Sequence, residues 1–303
     1  MTGMSLRIIP VPGIGEVRPG ADLAALVHAA APDLADGDVV VVTSKIVSKA
    51  EGRLVPVPAA GPAREAARAA ALRAESVGVV AARGATRIVR TRHGFVLNGA
   101  GIDASNVPPG VLALLPVDPD ASARALRTAL RERYGRRVAV IVSDTAGRAW
   151  RIGQTDLALG CAGLPPLRDH RGTVDPYGNP LTVTQIAVAD ELAAAAELVK
   201  GKTAGVPVVL VRGYPLTGAE PDGPGVAALL RPAAEDMFGE GAAEAYARGL
   251  ADGRAAADDA ARAGTPAGAR GPAGAAGDRP AADGGGVRAG GTGAGASPPG
   301  AAP

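Results

Sequence analysis

Apolar residues recur along this chain in short blocks separated by polar stretches rich in glycine and proline. Val39 to Val42 is a run of four valines between Asp38 and Thr43, and Val138 to Val142 (VAVIV) and Val206 to Val211 (VPVVLV) repeat the pattern. Runs of this kind lack the alternation of a half-exposed strand and suit strands covered on both faces. Shorter strand candidates are Leu6 to Val11, Thr86 to Arg90, Phe95 to Asn98 and Val111 to Leu115. Between them the pattern predicts helices over 21–31, 63–82, 119–134, 184–199 and 233–258. The third has the clearest punctuation: Asp118 to cap it, Pro119 at its first position, Ala123, Leu126, Leu130 and Tyr134 on one face, and Gly135 to stop it. Strands alternating with helices predict an α/β or α+β fold.

Composition sets the boundaries of that fold. The 303 residues are 47% apolar, enough for a sizeable core. From Gly264 to Pro303, however, 31 of 40 residues are Gly, Ala or Pro, and none is Leu, Ile, Met, Phe, Tyr or Trp, so little burial offsets the entropy of ordering the chain. The expected division is a folded domain over 1–258 and a disordered tail over 259–303. A formal net charge of +2 lacks the basic surplus of a nucleic-acid binder. One cysteine, Cys161, and three scattered histidines suit neither a disulfide framework nor a Cys/His zinc site. No stretch reaches the roughly 18 apolar residues of a membrane helix, and no leader pattern opens the chain, so a cytoplasmic protein without membrane contact is expected.

Of the 32 basic residues only four are lysine, Lys45, Lys49, Lys200 and Lys202, in two short motifs. Against an arginine background, the compact ammonium suits a point charge approaching a phosphate. Lys45 and Lys49 follow the valine strand with Ser44, where open α/β sheets bind ligands; the same residues also suit a capped helix start with solvated lysines. Asp103, Ser105 and Asn106 stand in a glycine-rich turn, and Asp144 and Thr145 follow the second valine-rich strand. Carboxylate plus hydroxyl is a donor set for a hard divalent cation, although a lone Asp after a strand also serves as a helix cap. Two carboxylates converging to about 5 Å would repel by on the order of 3 kcal/mol at an effective dielectric near 20, a cost that a cation between them reverses. The stretch 196–203 fits a loose phosphate-loop pattern, but a helix precedes it and a strand follows, the reverse of what such a loop needs. Gly13 and Gly15 lack the third glycine of a dinucleotide fingerprint. Cys161, among Ala, Gly and Leu, reads as a small core residue.

Taken together, TSKIVSKAEGRLV at 43–55, GIDASNV at 101–107, SDTAGRAWRIGQTD at 143–156, DPYGNPL at 175–181 and VADELAAAAELVKGK at 188–202 resemble, in order, the coenzyme F420-0:L-glutamate ligase (gamma-glutamyl ligase) family. The resemblance runs over roughly residues 6–250. It implies GTP-dependent addition of L-glutamate to the lactyl carboxylate of F420-0 through an acyl phosphate, then gamma-linked extension. It further implies Mg2+ or Mn2+ and K+ as cofactors, and an intertwined homodimer whose α/β fold is not a phosphate-loop fold. By motif position, the metal ligands it implies are Asp103, Asp144 and Thr145. The implied GTP contacts are Ile14, Gly15, Glu16, Val17, Ser44, Lys45, Lys49, Asn106, Lys200, Gly201 and Lys202, with Asp103, Asp144 and Lys49 as the catalytic set. Lys202 stands where some members carry an acidic or amide residue toward a second metal. Related actinobacterial proteins add a flavin-binding, nitroreductase-like domain; the Gly/Ala/Pro tail stands in its place, and no FMN is expected. The rival readings are another nucleotide-dependent carboxylate–amine ligase or kinase, and a GTP- and metal-binding sensor without turnover.

Overall fold

A computed structural model describes residues 5–216 and 218–263. The chain divides into two units, Met1–Ala251 and Asp252–Pro303. The sheets and the cavity lie in the first; of the predicted tail, everything from 264 onward lies outside the described residues.

Strand β1 (Arg7–Val11) leads to helix α1 (Leu23–Ala30), which Asp22 caps by accepting from the Ala25 N–H at 3.0 Å. The valine run is β2 (Val39–Thr43), and it passes without a loop into α2 (Ser44–Ala50). Next come β3 (Leu54–Pro56) and α3 (Gly61–Glu75), then a three-stranded antiparallel sheet of β4 (Ser76–Arg83), β5 (Thr86–Thr91) and β6 (Val96–Asn98). β7 (Val111–Ala113) pairs with β3. Helix α4 (Pro119–Tyr134) is as the sequence predicts: Asp118 accepts from the Ala121 N–H at 2.9 Å, and Gly135 closes it in the left-handed region at φ 66°. A long hairpin of β8 (Ala139–Arg148) and β9 (Arg151–Ala162) follows, then the short pair β10 (Arg168–Asp169) and β11 (Gln185–Ile186), α5 (Val188–Lys200), β12 (Val208–Arg212) and α6 (Ala242–Ala263).

The central sheet has the order β1-β12-β2-β8-β9, with one parallel pair, β2 with β8, among antiparallel ones. Alternate residues of the valine strands serve opposite faces. Val40, Val42, Val140, Val142, Val208 and Leu210 pack with Val27, Ala123, Leu126 and Leu130 of α1 and α4. Val39, Val41, Ile141, Val209 and Val211 pack with Ala189, Leu192, Ala193 and Ala196 of α5. Burying each valine side chain on both faces of the sheet contributes roughly 1.5–3 kcal/mol. Gly160 lets the start of α4 approach β9, since a Cβ there would lie 2.2 Å from the Pro119 backbone.

Four expectations are corrected. The helix predicted over 63–82 ends at Glu75, and 76–83 is strand, because the alanine-rich run gives way to Ser76-Val-Gly-Val-Val, where β-branched residues favour pairing with β5. β8 does not end before Asp144 but continues to Arg148, paired with β9, a strand the sequence pattern hid behind Gly153, Gly160 and the polar Gln154 to Asp156. The helix predicted over 184–199 starts at Val188 after a short strand. The one predicted over 233–258 starts at Ala242, beyond Gly239 and Gly241, and runs to Ala263.

Candidate active site

Strand register decides what meets at one end of the central sheet. β2 and β8 run parallel with Thr43 opposite Ser143, so Lys45, two residues past that pair in α2, and Asp144, the next residue of β8, stand at the same end of the sheet. β12 runs antiparallel to β2, which brings its entry segment to the same end; Thr43 N–H donates to Pro207 C=O at 2.9 Å. β1 pairs antiparallel with β12, Val11 opposite Val208, and delivers the Gly13 to Glu16 turn there too. These segments and the 103–108 loop enclose a cavity of about 490 Å³.

Twelve of the residues predicted for the site line this cavity: Ile14, Gly15, Glu16, Lys45, Lys49, Asp103, Asn106, Asp144, Thr145, Lys200, Gly201 and Lys202. Two do not. Val17 belongs to the hydrophobic core, and Ser44 is buried as the first residue of α2. Arg148, Arg151 and Arg171, plausible on charge as partners of an anionic acceptor, are also outside the cavity wall, and Arg171 is engaged with Asp169 at 2.5 Å.

α2 places its two lysines on different carboxylates. Lys45 Nζ forms an ion pair with Asp103 Oδ2 and donates to Ser105 C=O at 2.9 Å. Lys49 Nζ lies 2.7 Å from Glu16 Oε1. Asp103 is anchored by a two-way backbone bridge with Ala113, and it also accepts from the Ser105 N–H and hydroxyl, each at 2.7 Å. Burial by itself would raise its pKa, but Lys45 and these hydrogen bonds override it and hold the carboxyl at about 2. Asn106 turns the loop in the left-handed region, φ 54°. Asp144 is half-buried in the cavity wall and accepts from the Thr145 N–H at 3.0 Å. Burial pushes it up to about 6; the Thr145 N–H and Lys45 oppose this, while Asp156 and Asp103 add to it.

Sequence reasoning missed Asp156 and Glu197. Asp156 lies opposite Thr145 in the β8–β9 register and is 1% exposed. Its Oδ1 accepts from the Thr145 hydroxyl at 2.9 Å and its Oδ2 from the Ser143 hydroxyl at 2.8 Å. The signal available was the quoted stretch 143–156 itself, a hairpin length with polar residues at both ends. Lys200, expected at nucleotide, is 1% exposed and paired with Asp156. Glu197, one helical turn before it on α5, lies 3.4 Å from its ammonium.

The donors fit a divalent cation of the Mg2+ type. Among the described residues no three Asp, Glu, His or Cys side chains form a cage. Of the five carboxylates in the lining, Glu16, Asp156 and Glu197 are paired with Lys49 or Lys200, and the oxygens that could hold a cation are those of Asp144, the Thr145 hydroxyl and Asp103, the last shared with Lys45. Mg2+ typically takes one or two carboxylates and completes its shell with water and substrate phosphates. Lys45, Lys49 and Lys202 on the same wall suit the phosphates themselves. The loop from Gly201 to Pro207 runs from helix to strand, as the sequence indicated.

Known proteins bear on this arrangement in two ways. A family model described as F420-0:Gamma-glutamyl ligase matches residues 13–213. Among curated proteins, the coenzyme F420:L-glutamate ligase of Methanothermobacter thermautotrophicus is 43% identical over 251 residues, covering 78% of this chain and 99% of its own. That of Methanopyrus kandleri is 42% identical over 247 residues, 77% of this chain and 98% of its own. That of Archaeoglobus fulgidus is 40% identical over 226 residues, 71% and 90% respectively. The matched span contains β2 through β12 and every cavity-lining residue, and this chain belongs to the F420-0:gamma-glutamyl ligase family.

Proposed function

We propose that this chain ligates L-glutamate to the lactyl carboxylate of coenzyme F420-0 in a GTP-dependent reaction, and extends the product by further gamma-linked glutamates. The observation that carries the reading is the convergence of Lys45, Lys49 and Lys202 with Asp103, Asp144 and Thr145 on one cavity in a chain of this family. Forming an amide from a carboxylate and an amine is unfavourable in water, so the carboxylate needs activation. In the proposed sequence a carboxylate oxygen of F420-0 attacks the γ-phosphorus of GTP and GDP leaves. The glutamate amine then attacks the acyl carbon of the acyl phosphate, phosphate departs with the C–O bond electrons, and the amine loses a proton.

Phosphoryl transfer asks the protein mainly for positioning and charge neutralisation. Lys49, held by Glu16, and Lys45, held by Asp103 and Ser105, would approach the phosphates with their side chains already ordered. Lys202 at the exposed rim adds a further charge. Asp103, Asp144 and Thr145 would hold Mg2+ or Mn2+, which when bound offsets the charge of the polyphosphate. A K+ requirement and a homodimer belong to the same proposal, as does the cytoplasm as its location. Among the described residues no helix is long and apolar enough to cross a membrane.

The test is mass spectrometry of F420-0 incubated with the purified chain, L-glutamate, GTP and Mg2+ or Mn2+, with each component omitted in turn and other carboxylate acceptors substituted. Stepwise glutamyl addition that needs both GTP and metal is expected, with little on the other acceptors. Addition to another acceptor in preference to F420-0 would contradict the reading, as would GTP binding without turnover.

A further inference from the structure

The Thr145 hydroxyl has one proton and two lone pairs, and its usefulness in the cavity depends on which of them faces inward. Asp156 Oδ1 lies 2.9 Å away on the neighbouring strand. A carboxylate paired with lysine offers only acceptors, so the Thr145 proton is directed at Asp156 and the lone pairs remain for the cavity. Asp156 is itself held from its other oxygen, which accepts from the Ser143 hydroxyl at 2.8 Å and from Lys200. The three donors of the Lys200 ammonium are matched by Asp156, by Ser143 Oγ at 3.0 Å and by Glu197 at 3.4 Å, leaving none for a phosphate. Asp156, Lys200 and Ser143 are at most 1% exposed.

We infer that Asp156 and Lys200 are positioning residues: together they fix the Thr145 hydroxyl so that its oxygen faces the cavity as a ligand for a divalent cation. This rests on the metal-dependent reading above. A purely structural role explains the pair poorly, because a buried ion pair generally stabilises a fold no better than apolar residues of the same volume. The register carries the inference further. Thr145 and Asp156 are direct partners across β8 and β9, so the hydroxyl and its acceptor are brought together by the strands and not by a mobile loop.

The test is Mn2+ binding to the full chain, with no nucleotide, read from the electron paramagnetic resonance of free Mn2+. It compares the wild type, Thr145→Val, Thr145→Ser, the pair Asp156→Leu with Lys200→Met, and that pair combined with Thr145→Val. The apolar pair is expected to keep its circular dichroism and to weaken Mn2+ binding about 10- to 100-fold. It should add no further loss in the Thr145→Val background, and Thr145→Ser should bind as the wild type does. If the apolar pair does not fold, Asp156→Asn with Lys200→Gln replaces it, with a several-fold loss expected that again vanishes beside Thr145→Val. Wild-type affinity in the paired variants, or losses that add independently to that of Thr145→Val, would overturn the inference. A wild-type chain that binds no Mn2+ would overturn the metal reading itself, and the inference with it.

Discussion

Asp103 and Asp144 face one cavity in opposite electrostatic situations. Asp103 has Lys45 and two hydrogen bonds from Ser105, which hold it at about 2 against its burial. Asp144 is pushed by burial up to about 6 and has two other carboxylates acting against its charge. Asp144 is therefore the group that gains most from a cation, and Asp144→Ala is expected to lower glutamyl transfer by about 100-fold or more, within the range for removing one electrostatic contact to a transition state. Quantitative mass spectrometry checks the rate and circular dichroism the fold; an unchanged rate would take Asp144 out of the reaction. Cys161 lies at the other extreme. Fully buried in β9, its thiol is pushed up to about 12 by burial and then by Asp120 and Asp190. Native protein should leave a thiol reagent unreacted at pH 8 and titrate one thiol once unfolded in denaturant; rapid native labelling would contradict this burial. The scarcity of lysine made Lys45 and Lys49 legible from composition alone, whereas Lys200 carried the same signal and is used differently. What separates them is the set of partners, Asp156, Ser143 and Glu197, that engage Lys200, and this depends on how α5 packs over the sheet and has no local signature.

Helix α4 was readable to its ends because each end is a local event: Asp118 caps, Pro119 opens, Gly135 closes. β9 was not, because only Ala158 to Ala162 form a continuous buried run, while Arg151 to Gln154 are exposed and the buried residue between them is the polar Asp156. That pattern follows from strand partners far along the chain. Helix α5 supplies a test at this scale. Asp190, in its first turn, accepts from the Ala158 N–H at 2.9 Å, and burial raises its pKa despite that bond. For an acid raised by folding, stability is complete below the unfolded value and is lost as pH rises through the folded one. Asp190→Asn keeps an acceptor for Ala158 without the charge. Urea midpoints should therefore fall from acid toward neutral pH by less in Asp190→Asn than in the wild type. Equal falls would show that Asp190 contributes nothing to the pH dependence.

At the scale of the whole molecule, the order β1-β12-β2-β8-β9 brings together four of the five distant stretches of chain that form the site, the 103–108 loop being the fifth, and this was only partly legible. The quoted motifs pointed to the right segments, and each central valine run is a strand of the central sheet, but which ends coincide is set by the one parallel and three antiparallel pairings. The same hairpin that carries Asp144 and Asp156 exposes Trp150 and Ile152 near its turn, and Tyr177 and Val183 are exposed in the segment after it. The homodimer proposed above would cover apolar surface of this kind. Light scattering on the eluting full chain is expected to give about twice the 29.8 kDa chain mass, and a monomer mass would remove the homodimer from the account.

The most direct test of the central claim follows oxygen. F420-0 carrying 18O in both oxygens of its lactyl carboxylate is incubated with the chain, L-glutamate, GTP and Mg2+, and the released phosphate and the glutamylated product are weighed. Activation as an acyl phosphate predicts one 18O in the phosphate and one retained in the new amide for each glutamate first added. Glutamyl addition with unlabelled phosphate, or no addition at all, would contradict it.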